Sequence, residues 1–235
     1  MTLITTVSGI SEIIPGLVFF IIALFVLKKD SADDLNRLIA LAFSFFSLLL
    51  ISEGFMYVLQ STDVLIINFL RDATEVSGIL AGVFILLAGV EVNRGSFWKS
   101  PRMLVTALAI TLIAMIGVLF HDVYYNVIGD SIFYYYEGRF FWAFFLASGV
   151  PIVELLLSLF LFNNARRQLR DTDPDIARKM LYLHLCMGLI IISATFLIAV
   201  LTVLVPAGTS PNILLVILGQ VGYLISCVLG YLAFK

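Results

Sequence analysis

Histidine and cysteine are close to missing from this sequence, with two of each among 235 residues, and charge is scarce as well. The two histidines, His121 and His184, are expected at opposite ends of the bundle, where they cannot make a bis-histidine haem, and a zinc site built on three histidines lacks its third ligand. No cysteine cluster, phosphate-cradling glycine loop or Ser/His/Asp spacing is present. The expectations are therefore no metal, no cofactor, no nucleic-acid partner and no enzyme activity. Cys186 and Cys227 both fall in apolar stretches, where they read as small packing residues rather than a disulfide framework. Charged residues make up 13%, against about a quarter in a soluble domain, which excludes an ordinary soluble core.

What is present is apolar length. Hydrophobic residues account for 61% and the mean hydropathy is +1.08. About 20 apolar residues are needed to cross a roughly 30 Å hydrocarbon core. Windows of that length predict spans near Glu12 to Leu27, Leu38 to Leu59, Val64 to Val90, Met103 to Phe120, Phe140 to Phe162, Ala177 to Val205 and Asn212 to Phe234. The expected fold class is all-α, a polytopic membrane protein with a seven-transmembrane-helix bundle, as a single domain over residues 1–235. The seventh span has no lysine before the terminal Lys235, so a retinal Schiff base has no attachment point. No internal repeat is evident, which lowers the case for a repeat-built transporter.

Orientation follows from the basic residues. Lys28, Lys29 and Arg37 follow span one, Arg94, Lys99 and Arg102 follow span three, and Arg166, Arg167, Arg170, Arg178 and Lys179 follow span five. With Lys235, twelve of the fourteen basic residues fall on one side. The positive-inside bias predicts the N-terminus outside and the C-terminus cytoplasmic, in a multi-pass protein of the cell membrane. The N-terminal segment has neither a basic n-region nor a small-residue cleavage site, so span one is expected to be a retained helix.

Two connections are more than short links. The expected external segment HDVYYNVIGDSIFYYYEGR carries Tyr124 and Tyr125 with three further tyrosines, His121, Asp122, Asp130 and Glu137. It reads either as an interfacial aromatic belt or as a lid that contacts a ligand. In the cytoplasmic segment NNARRQLRDTDPDIARK, Asp173 is placed to cap a helix whose first residue is Pro174. This segment would carry helices five and six beyond the membrane, to dock a soluble partner or to meet anionic headgroups.

Ionisable residues inside the spans carry most of the functional information, because a charge near the bilayer centre costs at least a few kcal/mol and is normally retained facing the interior. Glu53 on helix two and Arg71 on helix three lie seven or eight residues from the outer ends of their spans, roughly 12 Å deep at 1.5 Å per residue. Asp72 adjoins Arg71, and Glu75 follows at the i, i+4 spacing that shares its face. Glu12 joins them if helix one begins near the N-terminus. A buried Glu–Arg clasp between helices two and three is one reading. The other is a binding site, since four carboxylates facing one arginine leave at least one to take up a proton or to bind a cationic or hydrogen-bonding ligand.

In the inner half, Glu154 follows Pro151 by three residues on helix five, His184 lies on helix six, and Gln220 on helix seven. A kink at Pro151 would free a backbone carbonyl nearby. These residues read as a polar interhelical contact or as a proton-linked switch or relay. Small residues at Gly78 and Gly82, and at Gly222, Ser226 and Gly230, recur every four positions, as close helix contacts require.

The run NRLIALAFSFFSLLLISEGFMYVL (Asn36 to Leu59), the polar start of helix three and HDVYYN after helix four together resemble the seven-helix N-terminal sensor modules of prokaryotic histidine kinases. The resemblance implies a receptor-like module that passes a signal through helix seven. The sequence reaches Lys235 at the membrane surface, so the implied recipient is a separate cytoplasmic signalling protein or another membrane subunit, with the lipid bilayer as the other partner. The expected function is a sensor that responds to a small ligand, ion or pH through Glu53, Arg71, Asp72 and Glu75 beneath Tyr124 and Tyr125. A small proton- or cation-coupled carrier and an accessory structural subunit are the alternatives.

Overall fold

The computed structural model describes residues 3–60, 62–120, 123–128, 131–136, 141–195 and 210–235, and nearly all of them are helical. In chain order the elements are α1 (Leu3–Lys29), α2 (Asp34–Leu59), α3 (Val64–Arg94), a 3-10 turn (Gly95–Lys99) and α4 (Pro101–Leu119). A hairpin of β1 (Val123–Ile128) and β2 (Ser131–Tyr136) follows, then the single turn α5 (Phe141–Phe144), a π turn (Phe145–Gly149) and α6 (Val150–Leu169). The chain closes with α7 (Pro174–Thr195) and α8 (Ser210–Phe234).

Among the described residues, six helices are long and apolar enough to cross a membrane: Gly9–Lys29, Asp34–Leu59, Val64–Arg94, Pro101–Leu119, Phe145–Leu169 and Pro174–Ser193. A shorter apolar helix covers Leu218–Phe234. The apolar window of α4 is only 22% buried, and Leu65, Phe69, Leu119 and Phe160 are all exposed. Such surfaces are stable only against lipid, which makes this a multi-pass membrane protein.

Side chains just ahead of the helices fix where they start. Carboxylates of Asp33 and Asp63 accept hydrogen bonds from the amides of Leu35 (3.1 Å) and Leu65 (2.9 Å). Ser100 Oγ accepts from the Met103 amide at 3.3 Å, with Pro101 opening α4. Asp173 accepts from the Ile176 amide at 3.0 Å, with Pro174 as the first residue of α7, as the sequence predicts. A side-chain acceptor at this position satisfies amides that the helix itself leaves unbonded. Asp173→Ala is expected to cost about 1 kcal/mol, read as a lower thermal midpoint and faster amide exchange at Ile176, whose amide the carboxylate accepts from, with Asp173→Asn near wild type.

The chain divides into two compact units, Met1–Glu154 and Leu155–Lys235. In the first, α1 and α2 lie antiparallel at glycine-limited distance. A Cβ on Gly54 would come 2.6 Å from the Gly9 carbonyl oxygen, and one on Gly16 would come 3.1 Å from that of Ser47. Phe19 of α1 packs on Phe43 and Phe46 of α2, with ring centroids 5.4 and 5.0 Å apart. The next interface, α2 with α3, includes the stacked rings of Phe45 and Phe84 at 5.6 Å. At the start of α2, Lys99 of the 3-10 turn forms an ion pair with Asp34 at 2.5 Å while lying over the Trp98 ring. That pair ties the end of α3 to the beginning of α2. Ile79, Ala114, Val118 and Ala147 form the core where α3, α4 and the π turn meet.

In the second unit, α7 packs on α8. Gly222 leaves room for Ser193, with whose hydroxyl a Cβ would collide, and Ser226 Oγ donates back to the Gly222 carbonyl at 2.8 Å.

The structure corrects the sequence expectation in several places. The segment after α4 forms an antiparallel hairpin, with Tyr124 opposite Tyr135 and Tyr125 opposite Tyr134, a small two-stranded sheet beside helices that keep the fold all-α, as expected. Its strands are rich in aromatic and β-branched residues, and Gly129 and Asp130 separate them, which is the composition of a hairpin. Span five does not enter as one regular helix from Phe140. It enters through α5 and a π turn just before Pro151, whose ring and missing amide interrupt the regular bonding of the preceding turn. Helices α1, α2, α3, α6 and α7 extend past the expected spans, because capped ends and polar turns carry helix beyond the apolar windows. The predicted continuation of span six from 196 to Val205 lies outside the described residues.

Candidate functional site

Three close contacts set the heights of the first helices. Gly9 meets Gly54 and Gly16 meets Ser47, so Glu12 stands about level with Ile51. Gly78 meets Leu49, which brings Glu53 about level with Thr74. The sequence put Glu53 and Arg71 at matched depth, and this register sets Arg71 three residues, about 4.5 Å at 1.5 Å per residue, from the level of Glu53. Helix one begins early enough to include Glu12, which is 4% exposed, and Glu53 is half-buried.

Arg71 lies at the centre, only 4% exposed. Its guanidinium is 2.6 Å from the Asp72 carboxylate and 3.6 Å from that of Glu75. Nη1 also donates to the Val118 carbonyl at 3.3 Å, near the end of α4. The planar fork of arginine suits this division of labour, with Nη2 toward Asp72 and Nη1 shared between Glu75 and the Val118 carbonyl. That hydrogen bond fastens α3 to α4, a link that the sequence reading, with its Glu–Arg clasp between helices two and three, did not include. A backbone acceptor leaves no mark in an amino-acid sequence, and for that reason Val118 was missed.

Asp72 and Glu75 differ in setting. The Asp72 side chain is 47% exposed and that of Glu75 8%, so the pair offers one exposed and one enclosed carboxylate on a single cation. Just beyond Val118 the chain enters the hairpin, and β1 runs alongside α3. Tyr124 and Tyr125 are thus on the strand next to the helix that bears Arg71.

The inner constellation is described in two places. Glu154, 3% exposed, is pressed against α3 where Gly82 has no side chain: a Cβ there would collide with Oε2 and come 3.3 Å from the Pro151 Cα. Gly82 thus makes room for a carboxylate, a more specific role than the general helix contact read from spacing. His184 is half-buried, with Nδ1 3.1 Å from the Leu159 carbonyl. Gln220 is buried on α8. Cys186 and Cys227 are buried free thiols, in keeping with packing residues. Among the described residues no group of three or more His, Cys, Asp or Glu is placed to hold a metal ion.

Two features escaped the sequence reading although a signal was available. Gly9 and Gly16 are seven apart, as are Ser47 and Gly54, a spacing that keeps small residues on one helix face. The Lys99–Asp34 pair is the second, and opposite charges at the ends of two antiparallel helices were its only trace. Compared with known proteins, the chain matches no family model and no curated relative.

Proposed function

We propose that this membrane protein is a receptor-like module of seven spans in the prokaryotic cell membrane, with its N-terminus outside and its C-terminus in the cytoplasm. In this reading it senses a small cationic or hydrogen-bonding ligand, an ion or pH through Glu53, Arg71, Asp72 and Glu75, and passes the signal to a cytoplasmic partner. One observation carries it: a single buried arginine shared between two carboxylates of its own helix and a carbonyl of the next. A cation or proton that occupies Glu75 competes with Arg71, and whatever loosens Arg71 also loosens the hold of α3 on α4. Such a ligand shifts the helices only by the difference between its affinities for the two arrangements.

The hydrogen bond to Val118 also suits an accessory subunit in which the cluster is purely a packing device. A small proton- or cation-coupled carrier, with Glu154 and His184 as relay, draws support from the enclosed Glu154 carboxylate beside Gly82.

Thermal unfolding of the purified protein in detergent, across pH and a panel of cations and small metabolites, tests the reading. A ligand present at 100 times its Kd is expected to add about 2.7 kcal/mol. That gain should vanish in Glu75→Gln. A flat response in the wild type across the whole panel and pH range would rule out the sensor in favour of the subunit. Stabilisation accompanied by flux into liposomes would favour the carrier.

A further inference from the structure

The second unit carries six basic and three acidic side chains, all near the two ends of the turn joining α6 to α7 or at the end of α8. Three of the basic ones converge. Asp175, Arg178, Lys179 and Tyr182, spaced as one face of α7, and Leu232 and Lys235 at the end of α8, line an open groove of about 280 Å³. Arg178 is partly neutralised by Asp175, with Nη2 to Oδ1 at 2.5 Å. Among the described residues Lys179 and Lys235 form no ion pair, and the groove keeps a net positive charge.

Its position in the fold matters as much as its charge. Both walls belong to apolar helices, and the exposed apolar side chains nearby are Ile176 at the start of α7, with Leu185, Val228 and Tyr231 deeper along α7 and α8. The groove therefore lies where a membrane-spanning helix leaves the hydrocarbon, at headgroup level, with apolar surface beneath it and tyrosines, Tyr182 and Tyr231, at the boundary. We infer that this groove is a binding site for the headgroup of an anionic phospholipid, with Arg178, Lys179 and Lys235 around the phosphate and the acyl chains along α7 and α8. Basic side chains at this depth attract anionic lipid one charge at a time. The groove adds a fixed place for the phosphate, and tyrosine hydroxyl and ammonium donors to meet its oxygens.

The test uses the full chain purified in neutral detergent and titrated with short-chain phosphatidylglycerol, phosphatidylcholine of the same chain length, or inorganic phosphate, with the thermal midpoint as readout. Phosphatidylglycerol is expected to raise the midpoint of the wild type where phosphatidylcholine does not. Lys179→Gln with Lys235→Gln should weaken the apparent affinity by roughly tenfold or more, Lys179→Arg should preserve it, and Arg166→Gln with Arg167→Gln, an equal charge change outside the groove, should leave it near wild type. Equal losses in the two double variants would reduce the effect to diffuse charge and overturn the site. So would an equal response to both lipids, or a full response to inorganic phosphate alone, which would make the groove a receptor for a soluble anion. Lys235→Gln alone, at the exposed end of α8, keeps the comparison available should the double variant fold poorly.

Discussion

Replacing Arg71 with alanine is expected to destabilise the protein by about 3–5 kcal/mol, the range for removing one partner of a buried ion pair. The loss comes less from the pair than from what stays behind. Glu75, with an 8% exposed side chain, would be left in an enclosed place with its cation gone, and the Val118 carbonyl would lose the donor that reaches it from α3. Asp72 matters less because its side chain is 47% exposed and is not enclosed with the guanidinium. A paired change separates these causes: Arg71→Met with Glu75→Leu removes both charges and should recover most of the stability, since apolar replacements of buried pairs are often neutral or better. Equilibrium unfolding of the two variants beside the wild type checks this. If the single variant unfolds like the wild type, Arg71 is neither clasp nor switch.

A second large effect is expected at Gly54. Its neighbour across the interface is the backbone oxygen of Gly9, which would lie 2.6 Å from an added Cβ, with Ile13 Cγ1 at 2.7 Å. A side chain can rotate away from such a contact, but a carbonyl in mid-helix can move only with its helix. Overpacking costs typically about 1–3 kcal/mol, occasionally more, and leucine here belongs at or above the top of that range. Gly54→Leu should therefore separate α1 from α2, expose Glu12 and leave little monodisperse protein, while Gly54→Ala should be milder. Labelling of a cysteine placed at Glu12 reports the separation directly. Labelling rates that are alike with and without the Gly54→Leu change would show that the two helices are not held by this contact.

These expectations also mark how far the sequence could be read. Helix positions were legible because apolar length and the Asp173–Pro174 start follow from local chemistry, and a bilayer leaves helices as the common way to cross it. The matched depth of Glu53 and Arg71 was legible too, since antiparallel neighbours joined by a short turn must align from that turn. The partner of Arg71 on α4 was not, because backbone carbonyls are the same in every residue. The hairpin after α4 was hidden by its tyrosines, which serve an interfacial belt and a β-strand equally well. The π turn was half visible: Pro151 announced a disturbance without saying on which side of it the helix would give.

The Gly9–Gly54 contact also sets an order of events in time. Its two halves are 45 residues apart in the chain, and α1, α2 and α3 are each neighbours in both sequence and space. At about 5–20 residues per second, the ribosome needs roughly 2–9 s to synthesise the intervening chain. The first helical pair can then zip together while α7 and α8 are still untranslated, which gives the nascent protein a docked platform before its later helices have to find their place.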